Sequence, residues 1–430
     1  MGPAGEPIEA VFREERGRLL ALLAARFGDL DLAEEVTAEA LLAAVETWPR
    51  SGVPREPLAW LATTARRKAL DRIRRDATLA TKLATLHADA DPARRTEPVP
   101  EHEHIPDDRL QLMFACCHPA LDLDTQTGLT LRYIAGLSTA EIAQAFLVPP
   151  ATMAQRLTRG KRKIQQSRIP FRVPGPDELE GRLGLVLHVV YLIFTEGYAA
   201  TNHHDLVRCD LVDEAIRLAR ILHRLMPGEP RVTGLLALML LTDARRPARV
   251  DSHGIAVSLE DQDRGLWDTS MIDEGAGLTT QALRHHPPNS WSVQAAIAAL
   301  HDEAPSARQT DWRQVRLLYD ELFALTPTPV VALNRAIAIS WHEGPQAGLD
   351  HLEALADEPG LARQHHWHAA RGHTLARLGR HAAAAGAYRR ASELAQTPAE
   401  IGYLSARAEE CATIRSLRPG WASTSRSGDD

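Results

Sequence analysis

The residues of this chain that could do chemistry are charged, and they are sorted by sign. Six of the ten residues from Arg66 to Arg75 are basic (Arg66, Arg67, Lys68, Arg72, Arg74, Arg75), and Asp71 is the only acid among them. Just upstream, residues 29–46 hold Asp29, Asp31, Glu34, Glu35, Glu39 and Glu46 with no Lys or Arg. An acidic segment followed at once by a basic one points to two partners of opposite charge, a cationic protein and a polyanion. Two solvated helix faces would explain either run alone, but not their order. A third cluster, from Arg156 to Arg168, has six basic residues and no acid, and such a run suits phosphate contact. Covalent chemistry is poorly served. Glu196 and the carboxylates at 260–263 are the candidates for a hydrolase, yet no nucleophile–base pair or phosphate loop accompanies them. The four cysteines (Cys116, Cys117, Cys209, Cys411) contain no C-x-x-C pair, and Cys117-His118 lacks metal-ligand spacing. Neither a metal nor a cofactor is therefore expected.

These charges need helices to position them. Residues 57–75, PLAWLATTARRKALDRIRR, read as a helix opened by Pro57, with Trp60, Leu61, Ala65, Leu70 and Ile73 available for packing. Trp60 belongs with apolar Leu58 and Leu61 rather than with a stacked base. Residues 137–163, LSTAEIAQAFLVPPATMAQRLTRGKRK, read as two short helices joined tightly. Ser138 and Glu141 form a capping box, and Pro149-Pro150 stop the first helix and open the second. Met153, Leu157 and Ile164 share a buried face, leaving Gln155, Arg156, Thr158, Arg159 and Arg162 outside it. That arrangement is a helix-turn-helix, which places side chains in the major groove of DNA.

GDLDLAEEVTAEALLAAVETW followed by PLAWLATTARRKALDRIRR resembles conserved domain 2 of sigma-70-family RNA polymerase sigma factors, extracytoplasmic-function group. The helix-turn-helix block resembles domain 4 of the same proteins, so the likeness covers residues 8–168 in the family's order. DDRLQLMFACCHPAL and the long extension after it resemble a subgroup with a C-terminal tetratricopeptide-like domain. The resemblance implies that Asp31, Glu34, Glu35, Glu39 and Trp48 dock on the Arg-rich clamp helices of the largest polymerase subunit; Leu41, Leu42 and Val45, being apolar, read as core rather than contact. It implies that the loop WPRSGVPREP (48–57) captures a flipped base of the −10 element, through Arg50, Ser51 and amides near Gly52. Arg67 and Asp71, four apart, would contact the −10 element, while Arg66, Lys68, Arg72, Arg74 and Arg75 grip phosphates. Gln155, Thr158 and Arg159 would read −35 base edges beside Ala154. Arg156, Lys161, Arg162 and Lys163 would hold phosphates or the flap of the polymerase β subunit. Two positions depart from the family: Arg67 stands where Asn is usual, and Ala154 where Lys or Arg is common. Both bear on promoter choice.

Composition fits an all-α chain: 44% hydrophobic residues with only 5% aromatics, and almost no alternating strand pattern. The formal charge of −7 suits a DNA binder only once divided, because residues 107–168 hold eight Lys/Arg against five Asp/Glu, a local +3. No apolar run could span a bilayer, so the cytoplasm is the expected location. The expected organisation is domain 2 over 8–76, an acidic linker over 77–106, domain 4 over 107–168, a boundary at IPFRVPGP (169–176), and a tetratricopeptide-like helical domain over 177–415. The tail after it reads as disordered. The repeat reading rests on Ala215, Leu222, Pro227; Val315, Leu322, Pro327; Ala347, Ala354, Pro359; and Ala384 with Ala391. Gly372 and Tyr388 fit close helix packing in the same scheme. In the extension, Arg245, Arg246 and Arg249 beside Glu260, Asp261 and Asp263 suggest a structural charge network or an interdomain contact more than a ligand cavity. His365, His366 and His368 around Trp367 would matter to pH or metal only if they converged. The function expected is promoter recognition and melting with core polymerase, regulated in cis by the extension, where a regulatory protein could bind. The rival is a helix-turn-helix regulator that never joins polymerase.

Overall fold

The computed structural model describes residues 5–86, 108–146, 148–198, 208–358 and 361–416. Among them the chain is helical, with a single isolated bridge between Val250 and Ala256. It forms two compact units that divide between Ile193 and Phe194.

The first unit holds α1 (Gly5–Phe27), α2 (Leu30–Ser51), α3 (Pro57–Leu86), α4 (Asp108–Cys116), α5 (Leu123–Thr130), α6 (Thr139–Ala145), α7 (Pro150–Gln166) and the first part of α8 (Pro176–Tyr198). Asp29 caps α2, its carboxylate accepting from the Asp31 and Leu32 amides at 2.9 and 3.1 Å. Leu19, Leu20 and Leu23 of α1, Ala33, Val36 and Ala40 of α2, and Leu61, Ala65 and Ala69 of α3 are buried. The many alanines let α1, α2 and α3 pack in mutual contact. α1 also packs on α4 and on the π-helical turn Leu131–Ala135. α3 runs ten residues past the expected start of the linker, because DATLATKLATL has neither Pro nor Gly to stop it. The rest of the expected linker, to residue 106, lies outside the described residues, as does the tail from 417.

The second unit holds the end of α8, then α9 (Cys209–Leu225), α10 (Pro230–Asp243), α11 (Thr269–Leu283), α12 (Ser290–Glu303), α13 (Trp312–Leu325), α14 (Pro329–His342), α15 (Pro345–Ala354), α16 (His365–Arg377), α17 (His381–Leu394) and α18 (Pro398–Ser416). Each helix from α9 onward packs against the next in the chain. α10 is apolar on every side and buried from Val232 to Leu241, as a central helix must be. Farther along, Val293, Ile297, Val315, Leu322 and Ala338 form one core cluster. Leu375, Ala384, Tyr388, Ala391 and Leu404 belong to another.

The spacing expected of a repeat does not hold at its third copy. Ala347 is half-buried and Ala354 exposed, while Gly348, Leu349 and Leu352 carry the packing. Gly348 is the position that needs a bare backbone, since a Cβ there would stand 2.2 Å from that of Ser340. Gly372 likewise lies against the ring of Tyr388.

Candidate nucleic-acid interface

α3 begins at Pro57 and turns its apolar residues inward only through its first three turns. From Leu70 to Arg75 every side chain is exposed, including Asp71, Arg72, Arg74 and Arg75; before Ala69, Arg66 and Arg67 are exposed and Lys68 is half-buried. Leu70 and Ile73, expected to pack, are 38% and 40% exposed and lie among these cations. Lys68 pairs with Glu39 at 3.1 Å, and Arg72 with Glu35. The acidic face of α2 and the basic face of α3 thus adjoin, stitched by two cross-helix ion pairs.

Two expectations about α2 are corrected. Trp48 is not at a docking surface: it is 2% exposed and meets Trp60 edge to face, with ring centroids 5.5 Å apart. Trp60 is half-buried beside it. A large ring next to Leu61 gains more from burial than from exposure. Conversely, Leu42 and Val45, read as core, are 60% and 49% exposed. Glu35, Glu39, Leu42 and Glu46 follow helical spacing, so α2 presents an acidic stripe with apolar residues in it. The stretch read as a loop from Trp48 is also helical through Ser51, whose hydroxyl donates to the Thr47 carbonyl at 3.1 Å. Arg50 and Ser51 are exposed in that last turn, and the open segment starts at Gly52.

In the helix-turn-helix the capping box forms in both directions. The Ser138 amide donates to Glu141 at 2.6 Å, and the Glu141 amide donates to the Ser138 hydroxyl at 3.2 Å. Met153, Leu157 and Ile164 are buried, and Gly160 sits so close to α5 that a Cβ would come within 2.6 Å of Thr125. This fixes the roll of α7. Ala154, Gln155, Thr158, Arg159, Arg162 and Lys163 then face outward, while Arg156 and Lys161 are half-buried. Arg156 pairs with Asp124 at 2.9 Å and lies over the Phe146 ring. An open hollow of about 560 Å³ runs along α7 between Asp122 and Gln166, lined by Arg156, Arg159, Arg162 and Lys163. Arg156 is paired with Asp124, so Arg159, Arg162 and Lys163 carry the exposed positive charge along this groove.

Sequence reasoning missed how α2 meets this second block. Arg132 of the π-helical turn pairs with Glu34, and Lys161 of α7 pairs with Asp31. Arg16 of α1 donates to the Gly136 carbonyl at 3.1 Å. Two of the carboxylates expected to dock on polymerase are therefore held by cations of the helix-turn-helix block. No local pattern announces this, because the partners are about a hundred residues apart.

The second unit's charges behave differently. Arg245 pairs with Asp302 at 2.6 Å, and Arg246 with Asp213 and Asp243. Arg249 lies over the Tyr198 ring and donates to its carbonyl, while Arg264 donates to the carbonyls of His301 and Ala304. These arginines form a structural network, but not the expected one: among the described residues Glu260, Asp261 and Asp263 are not their ion-pair partners, and Glu260 lines a cavity. A cavity of about 510 Å³ in this unit is walled by Trp312, Tyr319, Trp341, Tyr388 and Tyr403, with Trp312 and Trp341 stacked 4.9 Å apart. Burial, together with Arg245 and Arg264, holds His301 down to about 3, and burial with Arg377 and Arg407 holds His373 down to about 4. The cysteines form no disulfide. Cys116 and Cys117 are buried, and burial pushes the Cys117 thiol up to about 12, so it stays protonated. Of the histidine cluster, His365 and His366 converge with Glu400, whereas His368 turns its ring to Trp367.

Comparison with known proteins agrees with this layout. Residues 11–78 match Sigma-70 region 2, and residues 111–164 match Sigma-70 region 4. Residues 182–283 match a family of unknown function, DUF6596. An uncharacterized protein of Rhizobium meliloti is 43% identical over 400 residues, covering 92% of this chain and 94% of its own length. No helix among the described residues is long and apolar enough to cross a membrane. With both promoter-recognition regions matched in order, and an extension shared with a near-full-length relative, the chain belongs to the sigma-70 family of sigma factors.

Proposed function

We propose that the chain is an extracytoplasmic-function sigma factor that joins core RNA polymerase, recognises −35 and −10 elements and promotes melting. Its C-terminal helices act as a tetratricopeptide-like regulator in cis. The observation that carries this reading is the adjoining of an acidic, partly apolar α2 face and a basic α3 surface in the same unit as an outward-facing recognition helix. On α2, Asp31, Glu34, Glu35 and Glu39 meet the clamp helices, with Leu42 and Val45 supplying the apolar contact that Trp48 does not. On α3, Arg67 and Asp71 take −10 contacts, aided by Arg50 and Ser51, while the flanking cations hold phosphate. On α7, Gln155, Thr158 and Arg159 read the −35 element, and Lys161, Arg162 and Lys163 hold phosphate or the β flap.

Asp31 and Glu34 must first exchange Lys161 and Arg132 for polymerase cations. The Lys161–Asp31 pair, with its carboxylate exposed, contributes about 0–1 kcal/mol and exchanges cheaply, whereas Arg132–Glu34, less than a quarter exposed on either side, costs more to open. Neutralising Asp31, Glu34 and Glu35 together (Asp31→Asn, Glu34→Gln, Glu35→Gln) should abolish capture of core polymerase by the full chain. Capture unchanged by the triple substitution would remove the docking surface. Failure of the unsubstituted chain to support run-off transcription would leave only a helix-turn-helix regulator. For the extension, run-off by the full chain is compared with a chain ending after Tyr198. That end point keeps Arg182, which donates to the Phe114 carbonyl and so belongs to the first unit. Equal activity of the two chains would remove the cis-regulatory role.

A further inference from the structure

The convergence of His365, His366 and Glu400 is not accounted for by promoter recognition. One ligand atom from each lies within 4.8 Å of the other two. His365 Nε2 and Glu400 Oε1 are 3.4 Å apart, long for a hydrogen bond. That separation has another meaning. Zinc takes imidazole nitrogen and carboxylate oxygen at about 2.0–2.2 Å, so two ligand atoms on a tetrahedral ion stand about 3.3–3.6 Å apart. The third atom reaches the same span with about an ångström of side-chain movement.

The carboxylate is already aimed. Thr397, itself buried, donates its hydroxyl to the other oxygen, Oε2, at 2.8 Å, and the Glu400 amide donates back to that hydroxyl at 3.3 Å. Oε1 is left towards the imidazoles. A fixed outer partner of this kind is what orients a ligating carboxylate. His365 and His366 are the first two residues of α16, and Glu400 lies in the first turn of α18, so an ion would tie two helices that are not neighbours in the chain. His366 also lines the 510 Å³ aromatic cavity, which leaves room at a fourth position for water or an exogenous ligand.

We propose that His365, His366 and Glu400 form a divalent transition-metal site, selective for zinc-like ions, that staples α16 to α18 with one position open to the cavity. Two imidazoles and one carboxylate favour Zn²⁺ or Co²⁺ over Mg²⁺ and Ca²⁺, which prefer all-oxygen sites. The bland account of the same atoms is an imidazolium–carboxylate pair with a second imidazole stacked on it, the ring centroids 3.8 Å apart. That account predicts no metal affinity.

The experiment titrates the full chain, free of any histidine tag, with Zn²⁺ by calorimetry and with Co²⁺ by visible absorption. The expected result is one ion per chain with a Kd below about 10 μM, four-coordinate Co²⁺ bands, and no competition from excess Mg²⁺. His366→Ala and Glu400→Gln should each weaken binding by more than the roughly 10–100-fold typical of losing an outer partner, and Thr397→Val should fall within that range. His368→Ala should bind as the unsubstituted chain does. Circular dichroism confirms that each variant compared is folded. Absence of saturable Zn²⁺ binding by the unsubstituted chain overturns the site whatever the variants do. Undiminished binding by folded His366→Ala or Glu400→Gln overturns it equally.

Discussion

The two units differ in what their densest arginine clusters meet. In the first, Arg66, Arg67, Arg75, Arg159 and Arg162 stand exposed on helices whose other faces are buried. In the second, Arg245, Arg246, Arg249 and Arg264 fold back onto carboxylates, carbonyls and rings of their own unit. Sequence density alone does not separate the two cases, since ARRPAR is as basic as many nucleic-acid motifs. What separates them is whether the positive charge is already spoken for. A satisfied guanidinium is scaffold, and an exposed row of them on a rigid helix is a surface that still seeks an anion.

The sharpest way to break this contrast is at Asp302. Its side chain is fully buried and Arg245 is only 10% exposed, so removing the acid leaves a guanidinium without its counter-charge in the core. Asp302→Ala should cost about 3–5 kcal/mol of unfolding free energy, read by urea denaturation with tryptophan fluorescence. Arg245→Met with Asp302→Leu should recover most of that loss, because an apolar pair of similar volume removes the unpaired charge. A loss below about 1 kcal/mol for Asp302→Ala would mean that the second unit's charges are decorative after all.

Acid should test the second unit next. His301 and His373 titrate near 3 and 4 in the folded chain, well below the ordinary 6.5. A depressed folded value means that the unfolded chain binds more protons, so stability is complete above pH 6.5 and declines as pH falls towards 4 and then 3. The two depressions together correspond to at most about 8 kcal/mol. Fluorescence of Trp312 and Trp341 against pH should show loss of the stacked pair in that window, and His301→Gln should flatten the profile. A profile flat from pH 7 to 4 would show that these rings are hydrated, contrary to their burial.

The legibility of the sequence follows the range of the interactions. The helix-turn-helix was readable to the residue, because caps, prolines and a 3.6-residue stripe are local: Ser138, Glu141, Pro150, Met153, Leu157 and Ile164 all do what their spacing implies. The face of α2 was half readable. Its run of acids was plain, but Trp48 is buried and Leu42 exposed, the reverse of the expectation, since which apolar residue is buried depends on where α1 and α3 lie. At the third spaced pair Gly348 packs rather than Ala347, because both are small and only the closeness of Ser340 decides between them. Wholly hidden were Arg132 with Glu34, Lys161 with Asp31, and Glu400 with two histidines 34 and 35 residues before it. Such pairings are set by tertiary packing and leave no trace in spacing.

The smaller effects concern the exposed cations, where stability and binding should come apart. Arg159→Ala should leave unfolding free energy within about 0.5 kcal/mol. If Arg159 meets a guanine edge in the major groove, the substitution should also remove about 1–3 kcal/mol of preference at one −35 position. Lys163→Ala should be subtler still. Its side chain lines the open groove along α7, so it acts on any duplex alike, lowering the slope of log affinity against log salt by about one without changing sequence preference. Binding of promoter duplexes by the holoenzyme over a salt series separates the two outcomes. If Lys163→Ala changed base preference and Arg159→Ala only the salt slope, the roll of α7 in the groove would be rotated from the one that Met153, Leu157 and Ile164 impose. The distinction between a satisfied and a seeking cation would survive, but its assignment along this helix would have to be redrawn.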